Sequence, residues 1–559
     1  MNVLGINVGQ NASNASARDG GAALLVDGTL HGAIAEERFT RNKHCGGYDR
    51  AVDWLLQSAG LRVADLDLVA VSSYGEEARL ELFGDLGFSA ARRLEMVPSH
   101  HLSHAFSAYF PSGFDAAVIL VADNEGNIIG KRRYIELWRN TMERLTVYKG
   151  EGSKVTLLER DMEAEDVVSL GELYGNFTRF LGFGSYLNAG KTMALASFGD
   201  PGRFANVPLI QRLDGGRLHC PLRNDYQNSS QEIRRYFAEF GHELPPQRDP
   251  ATTPLSDLWH DLAAALQQQL EDALLHKVRH WVEVTGLRSL CLAGGVALNC
   301  VANRRLLDEV PLDRLYVQPN SGDQGQSLGN VFYGWHDLLG REERVTLPGA
   351  GVYLGGGYSG AECLAALEGD AADLKWRISE DVIGDAAQLL AGGSVVGWFQ
   401  GRSEWGPRAL GNRSILADPR AARMRDHVNM RVKHRESFRP FAPVVPWEHA
   451  SRFFHLTSPC PTMTVVARAR NEVAAQIAAV VHVDGTARVQ TVSRDDNPRL
   501  HAVLQRFGEI SGVPVLLNTS FNDANEPIVE TPRDAVRTFC STEMDALVLH
   551  DIIVTREVS

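Results

Sequence analysis

The sequence predicts an α/β protein of two domains, and three features point that way. At 559 residues the chain exceeds what one hydrophobic core supports, since domains commonly run to about 100–200 residues and longer chains split. Short apolar runs of strand type are spaced along the N-terminal half, with a long stretch of helical periodicity among them. A glycine-rich stretch, LPGAGVYLGGGYSG, then interrupts the pattern before a new alternation begins near Ile378. The expected domains are 1–345 and 373–559, joined by a connector over 346–372.

Val3 to Val8 reads as the first strand. A polar loop containing Asn11 and Asn14 follows, then a strand from Ala22 to Val26, a turn at Asp27-Gly28 and a strand from His31 to Ala35. Two apolar runs joined by Asp-Gly are a hairpin signal. A strand, a small polar loop and a returning hairpin is also how actin-like ATPase domains begin, with loop N–H groups that hold phosphate. Leu68 to Ser72, Ala117 to Ala122, Ser289 to Leu292 and Arg314 to Gln318 read as further strands, and Leu255 to Val284 as a helix. No internal repeat or low-complexity tract interrupts them.

Hydrophobic residues make up 44% and charged residues 22%, which describes a soluble, folded chain and excludes disorder. The formal net charge of -13 argues against nucleic acid as a partner, because that affinity rests on Lys and Arg neutralising phosphates. A local arginine cluster can still hold a small anion. None of the seven cysteines forms a CxxC pair, so reduced thiols in a cytoplasmic protein are expected rather than disulfides or a zinc site. MNVLGINVG has no basic leader and no apolar run reaches the ~18 residues of a membrane span, so no membrane partner is expected.

Ser99-His100-His101-Leu102-Ser103-His104 is the first chemical signal. His100 and His104, at i and i+4, would share one helix face and could hold one metal ion; a chance structural pair is the competing reading. Asp123 ends the apolar run AVILVAD, and Asp323 opens a small-residue helix. Two His and two Asp form a mixed N/O set suited to iron(II), manganese or zinc, while a turn or helix cap is the alternative for either aspartate. Ala293-Gly294-Gly295 through Asn299 could present backbone amides to a phosphate, the alternative being tight strand-to-helix packing. Asn188-Ala189-Gly190-Lys191-Thr192 lacks the leading glycine of a P-loop, so only Lys191 is kept as a phosphate contact.

After residue 400 four segments combine cations with residues that constrain the backbone. They are GRSEWGPRALGNRS with Arg408 and Arg413, KHRESFRPF with Lys433 and Arg439, DGTARVQ with Arg488, and NTSFN with Asn518 and Ser520. Arg grips phosphate through a planar fork and Lys adds a point charge. Solvated surface salt bridges are the bland reading; these arginines instead sit among Gly, Pro and aromatic residues.

At these residues the chain resembles the O-carbamoyltransferases of antibiotic and nodulation-factor biosynthesis, relatives of the hydrogenase-maturation carbamoyltransferase. The resemblance is carried by AEERFTRNKH (Ala35 to His44), HHLSHA (His100 to Ala105), GRSEWGPRALGNRSILADPR (Gly401 to Arg420), RESFRPFAP (Arg435 to Pro443), DGTARVQTV (Asp484 to Val492) and NTSFN (Asn518 to Asn522), and spans nearly the whole chain. It implies an N-terminal actin-like ATPase domain, similar to tRNA threonylcarbamoyl-transfer proteins, and a C-terminal YrdC-like α/β domain. It implies that carbamoyl phosphate and ATP give carbamoyl adenylate and pyrophosphate, and that the carbamoyl group passes to a hydroxyl of a small-molecule natural product. Carried over by position, His100, His104, Asp123 and Asp323 would hold a divalent metal, iron(II) first, with magnesium, manganese or zinc as alternatives. Arg408, Lys433, Arg439, Arg488 and Ser520, with Arg413 and Asn518, would bind carbamoyl phosphate and nucleotide.

Three stretches depart from the family pattern. Where relatives have His-Asp-x-Ser-Ala-Ala-Leu, this chain has Arg18-Asp19-Gly20-Gly21-Ala22-Ala23-Leu24. Arginine cannot act as a base near neutral pH, so either Asp19 substitutes for the histidine or the acceptor is oriented differently. The usual Asp-Gly-x-Gly-Glu is Asp123-Asn124-Glu125-Gly126-Asn127, and Arg-Gly-Glu-Pro-Ile is Ala524-Asn525-Glu526-Pro527-Ile528. The competing functions are carbamoyl transfer to a tRNA or protein, and a non-catalytic nucleotide sensor. Trp138, Tyr174 and Tyr186 are candidates to line the acceptor site, with core packing the alternative. The assembly considered is a homodimer.

Overall fold

The computed structural model describes residues 1–9, 18–75, 77–134, 137–164, 168–223, 228–348, 351–370 and 374–556. Asn11 and Asn14, and the side chain of Trp138, lie outside the described residues. The chain forms two compact units: Met1–His31 with Cys45–Thr346, and Gly32–His44 with Leu347–Ser559. The segment 32–44 therefore groups with the second unit, not with the N-terminal residues around it in sequence. Among the described residues no helix is long and apolar enough to cross a membrane.

The strands β1 (Asn2–Asn7), β2 (Gly21–Val26), β3 (Thr29–Ala35, of which Gly32–Ala35 group with the second unit), β4 (Leu68–Ser72) and β5 (Leu94–Met96) form a sheet of order β3-β2-β1-β4-β5. β1 runs antiparallel to β2 and parallel to β4. Its unbroken apolar run fits burial on both faces, and Val3, Leu4 and Ile6 are fully buried. The helix α1 (His100–Tyr109) leads to β6 (Ala116–Ala122), followed by β7 (Ile128–Tyr134), β8 (Leu137–Glu151) and β9 (Lys154–Ala164). The helices α2 (Leu170–Phe180) and α3 (Asp257–Thr285) come next, then β10 (Ser289–Ala293), β11 (Arg314–Val317) and α4 (Gln326–Tyr333). The second sheet has the order β11-β10-β6-β8-β7, with β9 paired to β8. Ala105, Ala108 and Tyr109 of α1 pack with Ile119 and Val121 of β6 and Cys291 and Ala293 of β10. α4 comes against α1 so closely that a Cβ on Gly329 would lie 1.8 Å from the Ser103 carbonyl oxygen; only glycine permits that approach.

In the second unit, α5 (Gly360–Asp370) lies inside the stretch expected as a connector, and Val352 and Leu354 before it are buried. That glycine-rich stretch is thus part of the folded unit. β12 (Leu374–Ile378), α6 (Val382–Ala391), β13 (Val396–Phe399), β14 (Arg413–Ala417), β15 (Ala442–Pro446), β16 (Gln490–Val492), α7 (Pro498–Ser511), β17 (Leu516–Ser520), β18 (Ala546–Leu549) and β19 (Ile552–Arg556) follow. They build an eight-stranded mixed sheet of order β12-β19-β18-β13-β14-β17-β15-β16. Ala386 and Leu390 of α6 and Leu500, Leu504 and Phe507 of α7 cover one set of its apolar residues, including Trp398, Leu416 and Val548.

Candidate active site

Ser99 sets the start of α1: its Oγ accepts the N–H of Leu102 at 3.1 Å. His100 and His104 then fall one turn apart on one face. The His100 backbone N–H donates to Asn127 Oδ1 at 2.7 Å, and its Nδ1 lies 3.0 Å from the Ser73 carbonyl. An Nδ1–H donated to that carbonyl leaves the Nε2 lone pair free, the tautomer a metal ligand needs. Asp123 follows the last residue of β6, and its Oδ2 lies 3.1 Å from His104 Nε2 and 3.5 Å from His100 Nε2. Asp323 Oδ1 lies 3.3 Å from His100 Nε2 and 3.5 Å from His104 Nε2. One donor atom from each of the four lies within 4.8 Å of the others.

These residues fit a divalent cation. Asp123 Oδ2 is buried without a hydrogen-bond partner, an arrangement that needs a compensating group. Two imidazole nitrogens and two carboxylate oxygens are the donor set for it. Asp323 opens the turn Asp323–Gly325, whose N-cap is Gly322, and its side chain faces the histidines. Burial would discharge every member, but mutual attraction prevails. Asp323 and Asp123 hold the His100 imidazole well above its ordinary range, and the histidines hold both carboxyls below theirs. Gln326, which sequence reasoning passed over, places Nε2 3.0 Å from His100 Nε2 and 3.4 Å from His104 Nε2. Its signal was the i, i+3 spacing from Asp323.

Asp19 lies beside this cluster. The Asn7 Nδ2 donates both to the Asp19 carbonyl at 3.0 Å and to the Asp323 carbonyl at 2.9 Å. Asp19 Oδ1 accepts from Gln324 Nε2 at 3.1 Å. Arg18 lies over the rings of Tyr74 and Tyr186, at 4.8 and 5.0 Å, and 3.7 Å from Glu125. Two stretches that depart from the family pattern therefore pair with each other.

Gly294 serves packing: its φ is 83° and a Cβ there would lie 2.3 Å from the Ala122 carbonyl oxygen. The Gly295 N–H donates to Asp123 Oδ1 at 3.2 Å. Asn299 caps the helix Cys300–Glu309 through the N–H of Ala302, at 3.1 Å, and bonds Gln267. Lys191 lies on the helix Ala189–Ala196, 6.0 Å over the Phe183 ring. Tyr174 is buried and donates to Gln267 Oε1 at 2.8 Å.

In the second unit the GRSEWGPRALGNRS segment is organised by one buried carboxylate. Glu404 Oε1 accepts the N–H groups of Leu410, Asn412 and Arg413 at 2.8–2.9 Å. Arg413, a candidate ligand by sequence, is instead a structural anchor. It is fully buried and donates to the carbonyls of Gln400, Gly401, Asn412, Gly356 and Glu530. Such a side chain has no fork left for phosphate. Asn518 Nδ2 donates to the Ala409 carbonyl at 3.1 Å, which steadies the loop carrying Arg408.

Lys433 is buried and donates to the Ser520 and Asn522 carbonyls at 2.8 and 2.7 Å. Burial holds its ammonium well below the ordinary lysine range, and Arg435, Lys43 and Arg439 push it lower, with Asp523 opposing. Burial likewise depresses Arg435, and Arg439, Arg488 and Arg408 add to it, with Glu436 opposing. The structure thus gathers Arg408, Lys433, Arg439 and Arg488, as the sequence predicts, and adds Arg435 and Lys43. Both newcomers lie inside motifs already legible, RESFRPFAP and AEERFTRNKH.

Of these cations Lys433 is buried, Arg408, Arg435, Arg439 and Arg488 are half-buried and Lys43 is exposed. Gathered like charges suit an anion, and a His/Asp cluster that fits a cation suits the polarising of a reacting group. Residues 84–332 match the family model described as carbamoyltransferase N-terminus, and residues 387–556 that described as carbamoyltransferase C-terminus. The chain is 36% identical to the uncharacterised protein sll1178 of Synechocystis, over 96% of this chain and 95% of that one. It is 35% identical to nodulation protein NolNO of Sinorhizobium fredii, over 97% of this chain and 80% of that one. It is 33% identical to 3'-hydroxymethylcephem-O-carbamoyltransferase of Amycolatopsis lactamdurans, over 62% of this chain and 61% of that one. The chain belongs to the carbamoyltransferase family and is a carbamoyltransferase.

Proposed function

We propose that the protein makes carbamoyl adenylate from carbamoyl phosphate and ATP and transfers the carbamoyl group to a hydroxyl of a small-molecule natural product. The observation that carries this reading is the gathering of Arg408, Lys433, Arg435, Arg439 and Arg488, where burial first and then neighbouring cations hold Lys433, Arg435 and Arg439 below their ordinary ranges. Water releases phosphate from carbamoyl phosphate, and the carbamate oxygen then displaces pyrophosphate from the α-phosphorus of ATP. Negative charge concentrates on the phosphates in both steps, and fixed guanidinium groups stabilise it without reorganising. The YrdC-like character of the second unit and the actin-like character of the first are part of this reading; the strand order β3-β2-β1-β4-β5 supports the latter. The small-molecule acceptor rests on the relative whose name specifies a hydroxymethyl cephem.

His100, His104, Asp123 and Asp323 would hold the divalent metal, iron(II) being the proposed ion, which when bound would supply Lewis acidity for polarising a carbonyl oxygen. Asp19, tied to the Asp323 loop through Asn7, takes the proton of the acceptor hydroxyl as its oxygen attacks the carbamoyl carbon and AMP departs. The test of the first half-reaction is pyrophosphate release from ATP with and without carbamoyl phosphate. Release should require carbamoyl phosphate and fall about a hundredfold or more in Arg439→Ala, the scale of losing one electrostatic stabiliser. Release independent of carbamoyl phosphate, or untouched by the substitution, refutes the reading.

A further inference from the structure

Between Glu143 and Leu145 the pairing of β8 with β9 slips: Glu143 opposes Met162 while Leu145 opposes Asp161, so Arg144 is an extra residue. Such a bulge bends the strand and re-aims side chains. Glu143 and Arg144 are both buried, and each is committed to a different element of the His/Asp cluster.

Glu143 holds the start of α1. Its Oε1 accepts from the Ser99 hydroxyl at 2.5 Å, and its Oε2 from the N–H groups of His101 and Asn127, each at 3.3 Å. Ser99 caps the helix, and Asn127 Oδ1 takes the His100 N–H. A carboxylate at the positive end of a helix is itself stabilising, and Arg160, 3.2 Å away, keeps Glu143 charged. Arg144 holds the loop after β6. It donates to the Asn124 carbonyl at 3.2 Å and pairs with Glu172 at 2.8 Å, while the Ser169 hydroxyl donates to the same carbonyl at 2.7 Å. With Asn124 held through its carbonyl, its N–H, in the preceding peptide, donates to Asp123 Oδ1 at 2.8 Å, as does that of Gly295. Oδ2 is thereby left to face the histidines.

We propose that the Glu143–Arg144 bulge positions the metal cluster, with Glu143 setting the two histidines and Arg144 setting Asp123. Neither residue touches the proposed ion. The inference rests on the metal reading above and extends it to side chains outside the donor set.

The test is cobalt(II) titration of the metal-free full-length protein, followed by its visible d–d absorption, with thermal unfolding of each metal-free variant alongside. Glu143→Gln and Arg144→Met should each weaken cobalt binding about 10- to 100-fold, the range for residues that orient ligands, and alter the absorption band. Lys277→Met serves as the control, because it breaks a buried ion pair of the same unit with Glu159; it should lower the melting temperature and leave cobalt affinity unchanged. Should the first two variants fail to fold, Ser99→Ala, which cuts the link to Glu143 without unpairing a charge, should weaken binding about threefold. Affinity within twofold of wild type in the folded variants, or equal loss in Lys277→Met, overturns the inference. Failure of the wild type to bind cobalt, iron or zinc sinks the metal reading and this inference with it, whereas intact wild-type binding with unaffected variants sinks the inference alone.

Discussion

Lys433 shows what a buried cation costs. Its ammonium is buried among Arg435, Lys43 and Arg439, and its carbonyl partners carry no full charge to balance it. Its folded pKa lies below its ordinary value of 10.5, so between the two the unfolded chain holds a proton that the folded one has released. Stability therefore rises with pH through that window and is lost as pH falls through the folded value. Urea midpoints between pH 7 and about 10 should rise more steeply in the wild type than in Lys433→Met, and added pyrophosphate should flatten the difference. Arg413 shows the opposite fate of a cation from the same kind of motif. Sequence places it among phosphate ligands because it stands in an Arg/Gly-rich run. Only the fold reveals that its donors are committed to carbonyls from several segments.

Among the elements, those written as uninterrupted apolar runs were legible. Leu68–Ser72 matches its strand end for end, and the long helix differs from its expected span by only a few residues. The β7–β9 hairpin was not legible. Its strands include buried charged residues, Glu143 and Arg144, whose groups are satisfied by the tertiary partners Ser99 and Glu172 that no local pattern announces. The Gly294-Gly295 turn, read as a phosphate cradle or as tight packing, does pack tightly against the Ala122 carbonyl. Gly294→Ala should therefore destabilise the first unit by about 3 kcal/mol, combining a left-handed backbone with a clash, and should weaken metal binding through Asp123. Asn299→Ala, which removes a helix cap and the bonds to the buried Gln267, should cost about 1–3 kcal/mol and leave metal binding intact. Chemical denaturation of both variants, with a metal titration of each, checks the pair.

For the whole molecule, the division is not a single cut. Residues 32–44 group with the second unit, where Arg41 donates to the Pro527 and Ile528 carbonyls and faces Asp534 at 3.6 Å. Arg38 donates to the Glu404 and Gly406 carbonyls and lies 3.9 Å from the buried Glu530. A fragment of residues 347–559 keeps the acidic partners and loses the arginines. It should be destabilised by about 3–5 kcal/mol, the scale of an unpaired buried charge. Adding a synthetic peptide of residues 32–44 should restore much of that stability in a thermal melt. A fragment that melts as high as the intact chain, with or without peptide, contradicts this account.

Residue order alone writes the chemistry on offer: the His/Asp set, the cationic motifs, many of the strands and helices around them, and the family. Those features are local, because residue type, spacing and periodicity write them directly into the chain. Tertiary structure alone decided which groups meet and which are already committed. It brought Lys43 and Arg435 to Lys433, set Gln326 against the histidines, tied Arg18 to Glu125, and withdrew Arg413 and Asn299 into structural bonds. The physical reason is that hydrogen bonds and ion pairs form between neighbours in space, and those neighbours are set by long-range packing that no short stretch of sequence specifies.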